Sequence, residues 1–340
     1  MSFSNDSHAH VRPATIAAEH AVIAALLASD QSGLNGDDAA VIPVEHTSAI
    51  CVTVDSAIGG VHLHDDLSPT ECGYRAAACA LSDLAAMGAA PTAVVCAISV
   101  PVGQFGDVEA IIAGVRARCE ESGTHLVGGD LVTATTGSAE APLSISVTCI
   151  GQLGPAGRFV LRDGAVASHD VYVTGVLGAS EGARRLHAAT GDTTHWPSYT
   201  SPPNRIAAGQ IIAHHASSML DLSDGLATDA RHLTAASGVG LAINLDLLPL
   251  ADAALAAAAG LREDPAILAA TSGDDYELLF TCSRDAVDLL RAQLDDAQFT
   301  ELSLTRIGTC ADTNVTFHRN GSAITDLIGY EHGSARHDTG

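Results

Sequence analysis

The chain has 340 residues, 47% hydrophobic and 16% charged, with a formal net charge of −24. That balance excludes a disordered chain, and the lack of a basic stripe argues against nucleic acid or an anionic membrane surface as a partner. All 16 of its Lys+Arg residues are arginine, which rules out the lysine-dependent phosphate clamps of P-loop proteins and protein kinases.

A chain of this length predicts two domains, residues 1–150 and 151–340, each with its own core. Eight cysteines lie mostly in apolar segments without any C-x-x-C pair. They read as free thiols in a reducing compartment, and no zinc-type spacing is present. The first residues show no basic stretch leading into an apolar core, and the apolar run 253–261 is too short to cross a bilayer. A cytoplasmic protein is expected.

Residues 14–28 predict a short Ala-rich helix, followed by a glycine-punctuated loop over 33–38. A strand over 50–55 ends in Asp55. Ser68-Pro69-Thr70-Glu71 is a capping box with proline at the first helical position, so a helix should run from there to 88. Its second half is crowded with small residues and carries a single acid, Asp83. A strand over 93–100, a helix over 107–121 and a strand over 125–127 lead into Gly128-Gly129-Asp130, read as a turn, and a strand over 144–151 closes the half. The loop 151–164 carries Arg158 and Arg162, and its start marks the domain boundary. Beyond it the pattern predicts strands over 170–175, 219–222, 240–245, 276–282, 302–308 and 314–318. Helices are expected over 181–189, 204–217, 264–270 and 285–294, with one more running from Gly225 to about 236, and an exposed loop over 190–203. Both halves are therefore mixed α/β.

Six short, glycine-flanked aspartate motifs carry the chemistry: Gly36-Asp37-Asp38, Thr53-Val54-Asp55, Leu81-Ser82-Asp83, Gly128-Gly129-Asp130, Asp221-Leu222-Ser223-Asp224-Gly225 and Ser272-Gly273-Asp274-Asp275-Tyr276-Glu277. Acids converging on one site repel one another until cations or protons relieve them. Mg²⁺ binds through one or two carboxylates plus substrate phosphate oxygens. Asp221 and Asp224 are spaced to face one metal, with Ser223 as a cap or phosphate donor; the competing reading makes Asp224 a plain helix cap. Gly128 and Gly129 would expose amides to phosphate beside Asp130. Asp55 ends a strand where open sheets place ligands, unless it merely caps a turn. Asp83 is either a site acid or a salt-bridge partner of Arg75. His62, after Gly59-Gly60, is functional or structural. The planar fork of Arg162 suits a nucleotide phosphate, or pairs with Asp163 or Asp170.

Taken in order, nine motifs resemble the thiamine-monophosphate kinase family, within the superfamily of aminoimidazole ribonucleotide synthetase, selenophosphate synthetase and the hydrogenase-maturation dehydratase. They are the Gly36-Asp37-Asp38-Ala39-Ala40-Val41 run, Asp55 with Gly60-Val61-His62, and the 81–89 run with Pro91. Gly128-Gly129-Asp130, Arg162-Asp163-Gly164-Ala165 and the run from Asp170 to Gly175 follow. The 221–226 run, Asp274-Asp275-Tyr276-Glu277-Leu278 and Gly329-Tyr330-Glu331-His332 complete the set. The resemblance implies a two-domain α/β homodimer that pairs first-domain strands. It also implies ATP-dependent phosphorylation of thiamine monophosphate to thiamine diphosphate, by direct in-line transfer with several Mg²⁺ ions. By position, Asp38, Thr53, Asp55, Asp83, Asp130, Asp221 and Asp224 resemble metal ligands, with Val54 acting through its backbone. Gly129, Asp130, Arg162 and Ser223 match ATP contacts, and His62, Asp274 and Tyr330 match contacts to thiamine monophosphate. Departures from the family pattern cluster at the substrate end: Ala80 replaces an asparagine, Arg75 a lysine, Leu63 an aromatic and Gly333 a phenylalanine. Two alternatives stay open, another ATP-dependent enzyme of the superfamily (aminoimidazole ribonucleotide synthetase-like) and a non-catalytic nucleotide or metal sensor on this fold.

Overall fold

Strand β2 (Ile50–Ile58) shows the organising pattern: Cys51, Thr53 and Ala57 are buried on one face while Val54 and Ser56 point outward to solvent. The computed structural model describes residues 37–44, 49–101, 103–134, 141–311, 313–325 and 327–329. The helix expected over 14–28, Gly36 and Tyr330 lie outside these residues. Gly36–Tyr330 forms one compact unit.

A five-stranded sheet takes the order β1-β2-β5-β3-β4, with β1 (Ala40–Ile42), β3 (Ala90–Pro101), β4 (Leu126–Ala134) and β5 (Ser144–Gln152). Its pairings are antiparallel except β3 with β4. Helix α1 (Pro69–Ala86) and helix α2 (Val108–Glu121) cover one face. The expected capping box starts α1: the Glu71 N–H donates to Ser68 Oγ at 3.3 Å, and the Ser68 N–H donates to Glu71 Oε2 at 2.8 Å. The two helices cross closely because Gly73 and Gly114 lack side chains. A Cβ on Gly73 would stand 1.9 Å from the Ile111 carbonyl oxygen, and one on Gly114 would stand 2.0 Å from that of Thr70. The opposite face of the sheet is open, with Val54 65% and Val132 50% exposed.

The seven-stranded sheet has the order β12-β11-β8-β10-β6-β9-β7. Its strands are β6 (Asp170–Thr174), β7 (Ser218–Asp221), β8 (Leu241–Asn244), β9 (Leu278–Cys282), β10 (Leu304–Cys310), β11 (Thr316–Arg319) and β12 (Ser322–Ile324). Strands β6, β7 and β9 are buried along their whole length, because both faces are covered. Tyr172 and Phe280 belong to a core that continues under the first sheet, whereas Val171, Val173 and Leu279 face a second core. The helices here are α3 (Ala179–Thr190), α4 (Pro197–Thr200), α5 (Ile206–Ile212), α6 (Leu226–Ser237), α7 (Asp252–Leu261), α8 (Pro265–Thr271) and α9 (Arg284–Asp296).

Two expectations are corrected. Gly128-Gly129-Asp130 is no turn but the middle of β4, paired with Val95, Cys96 and Ala97; a Cβ on Gly129 would meet the Cys96 carbonyl oxygen at 1.8 Å, so glycine serves strand approach there. The apolar run 253–261, to which the sequence pattern assigns no element, forms α7, whose small side chains pack in a cluster with Leu268. The loop 190–203 contains the short helix α4, which buries Tyr199 and Thr200.

Asp275 receives the Gly178 and Ala179 N–H groups at 2.7 and 3.0 Å, at the start of α3. Burial pushes its carboxyl up to about 8 from 3.8. The fold thus favours the protonated form. Its stabilisation is complete below about pH 4 and is lost as pH rises to about 8. Asp275→Asn is expected to flatten the fall of the thermal midpoint across that window; an unchanged pH dependence would contradict this assignment. Gly73→Ala is expected to destabilise by about 1–3 kcal/mol, read as a lower thermal midpoint. Gly106→Ala, where a Cβ meets nothing within 4 Å, should leave the midpoint unchanged.

Candidate functional site

Helix α1 is the shared element. It packs on β2 and β5 of the first sheet and also reaches β7 of the second. Its buried face is built from Ala76, Ala77, Ala80, Ala85 and Ala86, small enough to let both sheets approach. Asp83 on α1, Asp221 at the end of β7 and Asp38 just before β1 thereby meet. One carboxylate oxygen from each lies within 4.8 Å of the others.

The electrostatics of this cluster are unbalanced. Burial, then the Asp38 charge, pushes the Asp221 carboxyl up to about 7. Burial, then Asp221 and Asp38, raises Asp83 well above its ordinary range, while the Thr53 hydroxyl donates to its Oδ2 at 2.5 Å. Arg162 supplies positive charge at one edge: its Nη2 and Nε donate to Asp38 at 2.6 and 3.2 Å, and its backbone N–H donates to Asp37 at 3.0 Å. Burial pushes Asp37 up to about 6. Arg162 therefore pairs with Asp38, not with Asp163 or Asp170; Asp170 is held by Arg284 and Arg306.

Asp224 is not the cap of α6. The cap position is Gly225, at φ +94°, and the Asp224 N–H donates to Asp229 Oδ2 at 3.1 Å. Asp229 is a buried acid that motif reading missed. Burial, then Asp224, raises its carboxyl well above the ordinary range. The signal available was its place on the first turn of the helix after Gly225.

A second group of residues continues from the first. Asp55 keeps solvent access, yet burial by its surroundings and then the Asp274 charge raise its carboxyl, and its own charge acts on Asp83. Asp274 pairs with Arg75 at 2.7 Å and accepts the Tyr276 hydroxyl at 3.0 Å. Arg75 thus partners Asp274 rather than Asp83. Its signal was the spacing of four along Arg75, Cys79 and Asp83, one stripe of α1. The His62 ring accepts the Ile58 N–H at 3.2 Å, and Tyr199, also missed, donates its hydroxyl to the His62 carbonyl at 3.0 Å.

The loops bearing the two groups are stacked main chain to main chain. Asp274 N–H donates to Ser223 O at 2.8 Å, and Tyr276 N–H donates to Leu222 O at 2.9 Å. A Cβ on Gly225 would lie 2.5 Å from Ser272 O, and one on Gly273 would lie 2.5 Å from Ser223 O. Asp274 and Tyr276 themselves hold left-handed backbone, at φ 70° and 50°, the kind of strain retained at functional sites.

Gly129 and Asp130 stand apart. They lie three strands from β2 in the sheet order, and Asp130 pairs with Ala97 in the row whose side chains leave the helix-covered face. The Val54 side chain also points away from the cluster, which leaves its carbonyl as the candidate donor. Tyr330 lies outside the described residues; the Gly329 N–H before it donates to Thr228 Oγ1 at 3.1 Å, on the first turn of α6.

Residues 36–153 match the family model described as AIR synthase related protein, N-terminal domain. The thiamine-monophosphate kinase of Salmonella typhimurium is 33% identical over 311 residues, covering 87% of this chain and 90% of its own length. The solved structure of AaThiL complexed with AMPPCP and TMP matches with a TM-score of 0.80 at 28% identity, over 92% of this chain and 96% of that one. The thiamine-monophosphate kinase of Stenotrophomonas maltophilia K279a matches with a TM-score of 0.70 at 32% identity, over 90% and 98%. With a relative this similar over nearly the whole chain, the mixed α/β fold and the ordered aspartate motifs have one common explanation: the chain belongs to the thiamine-monophosphate kinase family.

Proposed function

We propose that this chain transfers the γ-phosphoryl group of ATP directly to the phosphate of thiamine monophosphate, giving thiamine diphosphate and ADP. The observation that carries the reading is the continuity of the site. A carboxylate cluster with Arg162 at its edge adjoins a second group built on Arg75, Asp274 and His62, through loops that share main-chain hydrogen bonds. The relative crystallised with AMPPCP and TMP supports the choice of donor and acceptor.

Asp38, Asp83 and Asp221 fit divalent cations. Their oxygens converge, and burial and mutual repulsion push Asp83 and Asp221 toward protonation, a cost that a dication would remove. Thr53, Asp55, Asp224 and the Val54 carbonyl, with Asp130, complete the proposed ligand set. Mg²⁺ bound there would neutralise charge on the phosphates. Arg162 uses two N–H groups on Asp38, and its remaining donors are assigned to ATP phosphate together with Ser223. His62, Asp274 and Tyr330 are assigned to thiamine monophosphate; a carboxylate at Asp274 suits the fixed positive charge of the thiazolium ring. The acceptor's phosphate oxygen bonds to the γ-phosphorus as the bond to the ADP oxygen breaks. No covalent enzyme intermediate is needed, since positioning and charge neutralisation supply most of the catalysis.

We assign residues 1–150 to a metal, ATP and dimerisation domain and residues 151–340 to the second domain. The open face of the first sheet, with Val54 and Val132 exposed, supports a homodimer through it. Gly129 and Asp130 lie remote from their own chain's cluster; Gly129 is assigned to ATP phosphate, and Asp130 to a metal that bridges it to the same phosphates. The eight cysteines are all free and buried, in keeping with a reducing cytoplasm, and among the described residues no helix is long and apolar enough to cross a membrane.

Incubation with ATP, Mg²⁺ and thiamine monophosphate is expected to yield thiamine diphosphate that EDTA abolishes; ATP binding without product would overturn the reading and redirect the search to aminoimidazole-type acceptors. Asp83→Asn and Asp221→Asn should each lower turnover at least about a hundredfold with circular dichroism unchanged, and wild-type rates in both would sink the metal assignment. Val132→Arg is expected to halve the mass measured by sedimentation, whereas an unaltered mass would reject this dimer face.

A further inference from the structure

Among the described residues Arg75 and Asp170 are the charged residues most completely withdrawn from water, each at 1% exposure, and each edge of the Arg75 guanidinium is engaged. Nε donates to the His62 carbonyl at 3.2 Å, Nη1 to the Tyr199 carbonyl at 2.6 Å, and Nη2 lies 2.7 Å from Asp274 Oδ2. Its flat face lies 4.1 Å over the Tyr199 ring. The Tyr199 hydroxyl in turn donates to the His62 carbonyl and accepts the His64 N–H. One cation on α1 therefore ties together three segments remote in sequence: the turn after β2, helix α4 and the loop before β9.

We infer that Arg75 is the positioning residue of the acceptor end of the site, holding the His62 main chain and the Asp274 carboxylate in a single arrangement. The inference rests on the reading above that His62 and Asp274 contact thiamine monophosphate. An arginine fork suits this place, because its coplanar donors meet three separate acceptors while its flat face stacks on Tyr199; the lysine usual in the family would keep three donors but lose the stack. Asp274 Oδ2 takes the Arg75 donor and Oδ1 the Tyr276 hydroxyl, so its orientation is set from both sides while its side chain stays 40% exposed to the cleft. The left-handed backbone at Asp274 and Tyr276 needs such external restraint. The Arg75 hydrogen bonds and ion pair go to none of Asp38, Asp221 and Arg162; at the metal end its charge acts on Asp55, and the ATP contacts have no direct dependence on it.

The test compares Arg75→Lys and Arg75→Met with wild type, measuring the Kd and KM of thiamine monophosphate and of ATP separately, with thermal unfolding as a control for folding. Weakening of thiamine monophosphate by about tenfold or more in Arg75→Met is expected, with Arg75→Lys intermediate, ATP affinity within about twofold, and effects with Asp274→Asn that fail to multiply. Equal weakening of both substrates would overturn the inference, as would full affinity for thiamine monophosphate in both Arg75 variants while Asp274→Asn alone weakens it. Should Arg75→Met fail to fold, Arg75→Lys decides by the same split between substrates. If Asp274→Asn and His62→Ala both leave thiamine monophosphate binding intact, the assignment of the acceptor end fails first and takes the inference with it.

Discussion

Like charges gathered where water is scarce set the terms for the rest of this protein. Asp38, Asp83 and Asp221 converge within 4.8 Å, with Asp229 buried behind Asp224. Carboxylates so placed suffer both desolvation and mutual repulsion, which push Asp83 and Asp221 toward protonation. The surrounding fold has to hold them regardless. It does so with an alanine-rich helix wedged against two sheets and with main-chain hydrogen bonds that leave the loops little freedom.

Those loops explain how a charged cluster and an acceptor pocket become one site. The 221–225 and 272–276 segments bond to each other through Ser223, Leu222, Asp274 and Tyr276, at a separation that Gly225 and Gly273 alone permit without displacement. A shift at either end is transmitted to the other through main chain rather than through flexible side chains. In-line transfer tolerates little misplacement of the two reacting groups, and this construction meets that demand. Buried ion pairs hold the frame. Arg205 makes a bidentate contact with Glu277 at 2.6 Å from both donors, and Thr174 donates to the same carboxylate. Removing one partner of such a pair leaves an uncompensated buried charge.

Much of this was legible beforehand. The capping box at Ser68 starts its helix where the motif says, since a cap is a purely local hydrogen-bonding device. The short apolar run before Asp221 forms β7, which ends at that acid, whereas β2 runs three residues past Asp55, where its end was expected, because β5 pairs with it as far as Ile58. Other features depended on partners remote in sequence. Gly128-Gly129-Asp130 has the composition of a turn, yet β3 alongside makes it strand, because a neighbouring ladder overrides local preference. Arg75 sits eight residues from Asp83 on the same helix and was a natural partner for it, but the tertiary fold brings Asp274 closer. Arg162 read as a phosphate contact, with Asp163 or Asp170 as its alternative partners, and in the fold it crosses to Asp38.

By itself the sequence determined the alternation of strands and helices, the family motifs and the set of acids available for metal and phosphate chemistry, all of which are written in local spacing and residue type. Only the tertiary structure decided which of those acids share a site, which cation each one faces and which face of the first sheet stays open. Those outcomes turn on contacts between residues more than a hundred positions apart, such as Arg162 with Asp38 and Arg75 with Tyr199. Chain spacing carries no information about them, because burial and charge pairing are settled by packing after the elements have formed.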